Sequence, residues 1–353
     1  MPEAAVDPNK LNALLMRVVG DMGAAFSGAL VVLGDKLGLY KALAEAPATP
    51  AELAERTGTA ERYVREWLDN QAAGGYVQYD AATRRYSMTP EQVAAFADET
   101  SPAYMPGAFE LGAAIVHAEP RLRERFRTGE GLGWGEHHTC LFSGTESFFR
   151  ANYVGNLLQN WIPALDGVQE RLERGTAVAD VGCGHGASTI LMAEAFPNST
   201  FVGFDYHPSS IETARRRARE RGLGDRVRFE VADATSFPGA GYGFVTHFDC
   251  LHDLGDPGGA ARRVRETLAP DGTWMLVEPY AEDRPEQNHN PVGRVFYAAS
   301  TMICVPCSLA LDGPALGAQA GEARLAGIVR DAGFGRVRRA TETPFNLVLE
   351  ARL

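Results

Sequence analysis

The sequence predicts an α/β fold: a Rossmann-like, doubly wound and mostly parallel sheet behind a smaller, mostly helical front domain. Three observations predict it. Residues 178–189, VADVGCGHGAST, run from small apolar residues into Asp180, then set Gly182, Gly184 and Gly186 on alternate positions before helix-forming residues. That is the pattern of a buried strand, a tight turn and a helix whose N-terminus faces a ligand. Strand-like runs follow it in TFVGFD, RVRFEVADAT and YGFVTHFDCLHDL, two of them leading into acidic loops. Ahead of them, residues 1–100 hold short amphipathic helices and a hairpin.

The front elements justify their assignment in order. MGAAFSGALVVLG is apolar, lacks a basic leader, and is shorter than a bilayer span, so it reads as a helix buried at a domain or subunit interface, with no membrane partner. PAELAERTG is a short amphipathic helix ending in a turn. ERYVREWLDNQAAGG is a second, with Tyr63, Val64, Trp67 and Leu68 at helical spacing and a glycine pair closing it. YVQYD and RRYSMT make two short strands around a turn. Helix, turn, helix and hairpin describe a winged helix. Its charge argues against nucleic acid: the first hundred residues hold 9 Lys and Arg against 14 Asp and Glu, and the helix that would enter a groove has a net charge of −1. The whole chain, at −11, repeats the argument. The expected organisation is a winged-helix-like domain over 1–100, a helical linker and pocket wall over 101–165, and the α/β domain over 166–353.

The core motifs distinguish two nucleotide ligands. Gly182, Gly184 and Ala187 satisfy a loose GxGxxA dinucleotide pattern, so the neighbours decide. Asp205 ends the second strand 25 residues after Asp180 and is placed to accept ribose hydroxyls. Asp233, 28 residues further on, is placed for an adenine amino group. A nicotinamide enzyme needs neither an acid at the end of the first strand nor the Asp233 loop. The set, with Asp180 counted among the cofactor-binding residues, favours S-adenosylmethionine, with S-adenosylhomocysteine as product.

From VADVGCGHG through FVGFD, VADAT, FDCLHD and GTWMLVEP, the chain resembles a class I S-adenosylmethionine-dependent methyltransferase. GFGRVRRATETPFNLVLEARL looks like the last two strands of that family, which implies seven strands with the terminal one antiparallel. With its acidic winged helix, the chain is similar to small-molecule O-methyltransferases, and most of all to an actinobacterial group with winged-helix front domains. The resemblance implies main-chain contacts to the methionine part at Gly182, Cys183 and Gly184, a ribose contact at Asp205, and adenine contacts at Asp233 and Ala234. Phe248 would face the sulfonium or sit in the core; Tyr206 would flank the adenine or lie on the surface. It also implies a homodimer built by the front domain.

The two inserts beside the strand ends are rich in aromatic and imidazole groups, suiting a mostly apolar pocket for a small molecule. Trp134, His138, Phe149 and Tyr153 from the first, and Arg294 and Tyr297 from the second, are the candidate walls. Five cysteines and no secretory signal point to reduced thiols in the cytoplasm. Cys304 and Cys307 form one CxxC without a second pair, so core or pocket lining is preferred to a metal, and no metal site is expected.

Methyl transfer to oxygen requires alignment, worth about 7–11 kcal/mol in favourable cases, and removal of the hydroxyl proton. His252, four residues beyond Phe248, is the best base. It matches the catalytic histidine of the plant-type O-methyltransferases, Asp253 matches its partner, and Glu278 matches the acid that orients it. The expected function is O-methylation of a small molecule with His252 as general base. The alternatives are N-, C- or S-methylation by positioning alone, or a transcription regulator that binds the cofactor and uses the winged helix.

Overall fold

The structure, a computed structural model, describes residues 6–353. The chain forms two compact units: Met1–Ala113 with Ser143–Ala151, and Ala114–Phe142 with Asn152–Leu353. The stretch 101–165 is shared between them, because its two long helices, α6 (Pro106–Thr128) and α7 (Cys140–Asn156), each contribute to both.

In the first unit, α1 (Pro8–Lys36) starts where Asp7 accepts hydrogen bonds from the backbone of Asn9 and Lys10, with Pro8 at the first helical position. Then come α2 (Leu39–Glu45), α3 (Pro50–Thr57), α4 (Glu61–Ala73), the antiparallel pair β1 (Gln78–Asp80) and β2 (Arg85–Ser87), and α5 (Pro90–Phe96). Thr49 and Glu52 form a capping box at the start of α3. The bridge between Ala48 and Tyr86 ties the wing to the segment leading into α3, completing the winged helix. Its core is Tyr40, Leu43, Leu53, Trp67 and Leu68, with the Tyr40 hydroxyl donating to Gln71 at 2.5 Å.

Two expectations are corrected here. Tyr63 is 81% exposed: the buried stripe of α4 runs Val64, Trp67, Leu68, Gln71, and Tyr63 lies off it. The apolar stretch assigned to a buried helix is part of α1, whose only buried residues are Val31 and Gly34. Leu11, Leu15, Val18, Met22 and Phe26 form an exposed stripe at helical spacing. By length and composition α1 is long enough to cross a membrane, as is the partly buried helical stretch Pro291–Leu309.

The second unit is built on a seven-stranded sheet. Along the chain come α8 (Val168–Arg174), β3 (Ala177–Val181), α9 (Ala187–Ala195), β4 (Thr200–Asp205), α10 (Pro208–Glu220), β5 (Val227–Val231), β6 (Tyr242–Phe248), α11 (Pro257–Thr267), β7 (Leu268–Pro279), α12 (Pro291–Ala299), α13 (Val305–Leu309), α14 (Glu322–Asp331), β8 (Arg336–Glu342) and β9 (Asn346–Arg352). The strand order is β5-β4-β3-β6-β7-β9-β8. All neighbours are parallel except β9, which is antiparallel to both β7 and β8 and lies between them. The antiparallel terminal strand is as expected, and it is interior to the sheet. β3, β4, β6 and the second half of β7 are mostly apolar and buried, as strands covered on both faces must be, whereas the edge strand β5 exposes Arg228 and Val231. Strand order reverses across β3 and β6, so their carboxyl ends form the crevice where a ligand fits.

Candidate active site

The glycine turn follows β3. Gly182, Gly184 and Gly186 have φ of 76°, 52° and 79°, left-handed values that side chains resist. A Cβ on Gly182 would lie 2.6 Å from the Cys250 sulfur, whereas one on Gly184 would meet nothing within 4 Å. The turn is closed behind Gly182 and open beside Gly184, leaving a cradle that a side chain would fill. Asp205, at the end of β4, spans it: one carboxylate oxygen accepts from Gly184 N–H at 2.9 Å and the other from His207 N–H at 2.8 Å. Burial raises the Asp205 pKa and these backbone donors oppose the rise. Asp233 is exposed, and its Oδ1 accepts from Thr235, leaving Oδ2 outward. Ala234 is half-buried beside it and Tyr206 is 44% exposed. Cys183 is buried, packed toward Gly203.

Asp180 departs from the expected contact set. It is fully buried, and its carboxylate accepts from Ser188 at 2.7 Å, Thr189 at 2.5 Å and Thr246 at 3.0 Å. It braces the turn against α9 and β6 from below and faces no ligand.

β6 ends at Phe248, which is buried and packs against Tyr153 and Trp161 with ring centroids 5.0 Å and 6.3 Å away. A short turn, Leu251–Asp253, then carries His252. Its Nδ1 is hydrogen-bonded to Oε2 of Glu278, near the end of β7, and Glu278 Oε1 accepts from Leu251 N–H at 2.8 Å. Both side chains are almost fully buried. Burial by itself pushes the His252 imidazole down, but the Glu278 carboxylate, helped by a hydrogen bond with Cys304, outweighs it and holds the ring well above the ordinary histidine range. Asp253 is half-buried, and burial pushes its carboxyl up to about 7, with His252 opposing and Glu278 and Asp205 adding to the rise. Asp253 therefore links the acid of the glycine turn electrostatically to the histidine–glutamate pair.

The predicted pocket walls divide. Tyr153 stands against Phe248, and Trp134 packs on Phe142, which packs on His207 beside Asp205. Tyr297 is half-buried and Arg294 exposed on α12. His138 is corrected: it is exposed, stacked on His117 at 4.3 Å and in contact with Cys140, while its neighbour His137 is the buried one. Phe149 belongs to the first unit, edge-on to Phe148. Cys304 and Cys307 are free and buried, and beside His252 and Asp253 they line the site. No group of three or more residues suited to a metal occurs among the described residues.

Sequence reasoning missed Asp249, directly after Phe248. Its φ is 50°, its Oδ1 accepts from Asn346 at 3.1 Å, and its Oδ2 is buried without a hydrogen-bond partner. The motif FDCLHD contains it, and an acid at a strand's carboxyl end was the signal available.

Comparison with known proteins bears on the fold and the domain composition. Residues 172–308 match a family described as "Methyltransferase domain", and residues 25–97 match an "Rv2258c-like winged HTH domain". The mitomycin biosynthesis 6-O-methyltransferase of Streptomyces lavendulae is 26% identical over 86% of this chain and 84% of its own. The sterol 24-C-methyltransferase erg6 of Aspergillus fumigatus is 26% identical over 46% of this chain and 43% of its own. Among solved structures, human N-acetylserotonin methyltransferase bound to S-adenosylmethionine shares the fold with a TM-score of 0.72 at 16% identity, covering 99% of both chains. An O-methyltransferase family protein from Burkholderia thailandensis does so with a TM-score of 0.67 at 20% identity, again over 99% of each.

Proposed function

We propose that this chain, which belongs to the S-adenosylmethionine-dependent methyltransferases with a winged-helix front domain, methylates a hydroxyl of a small molecule with His252 as general base. The observation that carries the reading is the His252–Glu278 pair at the ends of β6 and β7. A carboxylate on Nδ1 fixes the tautomer, turns Nε2 to accept a proton, and stabilises the imidazolium that forms. The bound cofactor supplies an electrophilic methyl group. The residues suited to hold it are Gly182, Cys183 and Gly184 at the open cradle, Asp205 for the ribose, Asp233 and Ala234 with Tyr206 for the adenine, and Phe248 toward the methionine end. Asp253 acts through charge, because no hydrogen bond joins it to His252.

Similarity to an O-methyltransferase over most of its length supports oxygen as the acceptor. Similarity alone does not choose, since a sterol C-methyltransferase matches 46% of the chain. The pair of buried groups favours oxygen, because a proton must leave a hydroxyl. The front domain serves assembly in this reading. Its recognition-type helix α4 ties its arginines to its own glutamates, Arg62 to Glu66 at 2.5 Å and Arg65 to Glu61 at 2.6 Å, leaving little for phosphates. The exposed stripe of α1 supports a homodimer, and cysteines that form no disulfide among the described residues suit the reducing cytoplasm.

The test is turnover by His252→Ala on a panel of phenols, with release of S-adenosylhomocysteine as readout. A loss of about 10²–10⁴-fold is expected. A loss under about threefold with an unchanged pH profile removes the base assignment.

A further inference from the structure

We propose that Asp249 is the binding group for the primary ammonium of the cofactor's amino-acid end, taken by its Oδ2. Three observations meet at this residue, and none involves the glycine turn. The first is an unsatisfied atom. Oδ2 is buried with no hydrogen-bond partner, while Oδ1 accepts from the Asn346 amide at 3.1 Å. A buried carboxylate oxygen is costly to leave unpaired, and a charged donor answers it best.

The second is a ladder of asparagines. Asn160 donates to Asn156 at 3.0 Å, Asn156 to Asn152 at 3.3 Å, Asn152 to Asn346 at 2.8 Å, and Asn346 to Asp249. Asn152, Asn156 and Asn160 recur every four residues along α7 and the helical turn after it, so they stack on one face. Every amide points its N–H toward Asp249. Aligned donors polarise one another and favour negative charge at the last acceptor.

The third is the local backbone and field. Asp249 sits at φ 50°, a left-handed conformation that aspartate tolerates and most residues do not, and its N–H is fixed to Val277 O at 2.7 Å. Strain of this kind persists only where the surroundings impose it. Nearby lie the carboxyls of Glu278 and Asp253, with His252 as the one cationic side chain among them. Burial, then Glu278, raise the Asp249 pKa, so the group gains most from a partner that is itself a cation. It directly follows Phe248 at the carboxyl end of β6, the parallel neighbour of β3, and the next residue, Cys250, packs against Gly182 of the glycine turn, a place that suits the amino-acid end of the cofactor.

This rests on the cofactor assignment and is independent of the acceptor. The test is calorimetry of the whole protein with two probes, S-adenosylhomocysteine, which keeps the ammonium, and 5′-methylthioadenosine, which lacks it. Asp249→Asn keeps the shape and tolerates the same backbone. It is expected to weaken the first probe by about 10–100-fold and to leave the second within twofold. Asp249→Glu, which restores the charge, is expected to recover part of the loss. Equal affinity of wild type and Asp249→Asn for S-adenosylhomocysteine overturns the assignment, and so does an equal loss for both probes. Failure of the wild type to bind S-adenosylhomocysteine at all overturns the cofactor reading itself.

Discussion

His247 and His252 are five residues apart, yet their surroundings give them opposite chemistry. His247 is buried in β6, accepts at Nδ1 from the Trp274 indole at 3.1 Å, and burial pushes it down to about 3, so it stays neutral. His252 has a buried carboxylate on the same nitrogen and is pushed up. A base must be unprotonated to act, so kcat/KM should rise with pH through the neutral range and level off only on the alkaline side. Stability should move the other way. Asp253, pushed up to about 7, and His252 both hold protons in the folded chain that the unfolded chain has released. Asp253 therefore contributes a loss of stability as pH rises from about 4 to 7, and His252 a further loss as pH rises above about 6.5 through its raised value. Asp253→Asn should flatten the dependence of the urea midpoint on pH between about 4 and 7; an unchanged slope refutes the burial argument. At this scale the sequence revealed the pair, because His252 closely follows one recognisable strand and Glu278 lies at the end of another. Asp249 escaped it, since its role depends on Asn346, which only the folded sheet brings near. Asp180 misled, because an acid at a strand end looks alike whether it faces a ligand or supports the turn beneath one.

At the scale of elements, α1 is the informative departure. Its apolar residues were legible; their destination was not, because a helix that buries one end in its own domain and a helix that waits for a partner share one pattern. Among the described residues, only Val31 and Gly34 of this helix are buried. Gly34 marks the contact, since a Cβ there would lie 2.4 Å from the Trp67 ring. The stripe from Leu11 to Phe26 matches the apolar core of a stable subunit interface. Light scattering should report a dimer, and Met22→Asp with Phe26→Asp should convert it to monomer while the methyltransferase unit still binds S-adenosylhomocysteine. A monomeric wild type at micromolar concentration refutes this use of the helix. The winged helix itself was readable from its capping residues and glycine stops, down to the hairpin.

At the scale of the molecule, the acidic balance carries into function. With a net charge of −11 and the arginines of α4 engaged by glutamates, the protein should not retard duplex DNA in a gel at physiological salt. A discrete shifted band with a fragment of its own promoter region would revive the regulator reading. The parallel half of the sheet was legible because each strand ends in a turn or an acid with a chemical purpose. The division into units was less so, because α6 and α7 run through both and no composition break marks where one stops. The place of β9 has a further consequence. It is last of the strands in sequence yet lies between β7 and β8, so β7, which carries Glu278, keeps an open edge until β9 is made. The nascent chain thus emerges with Glu278 on an unfinished border, and the sheet around it is completed only with the final hairpin; premature stops upstream of Asn346 should yield aggregating chains instead of sluggish catalysts.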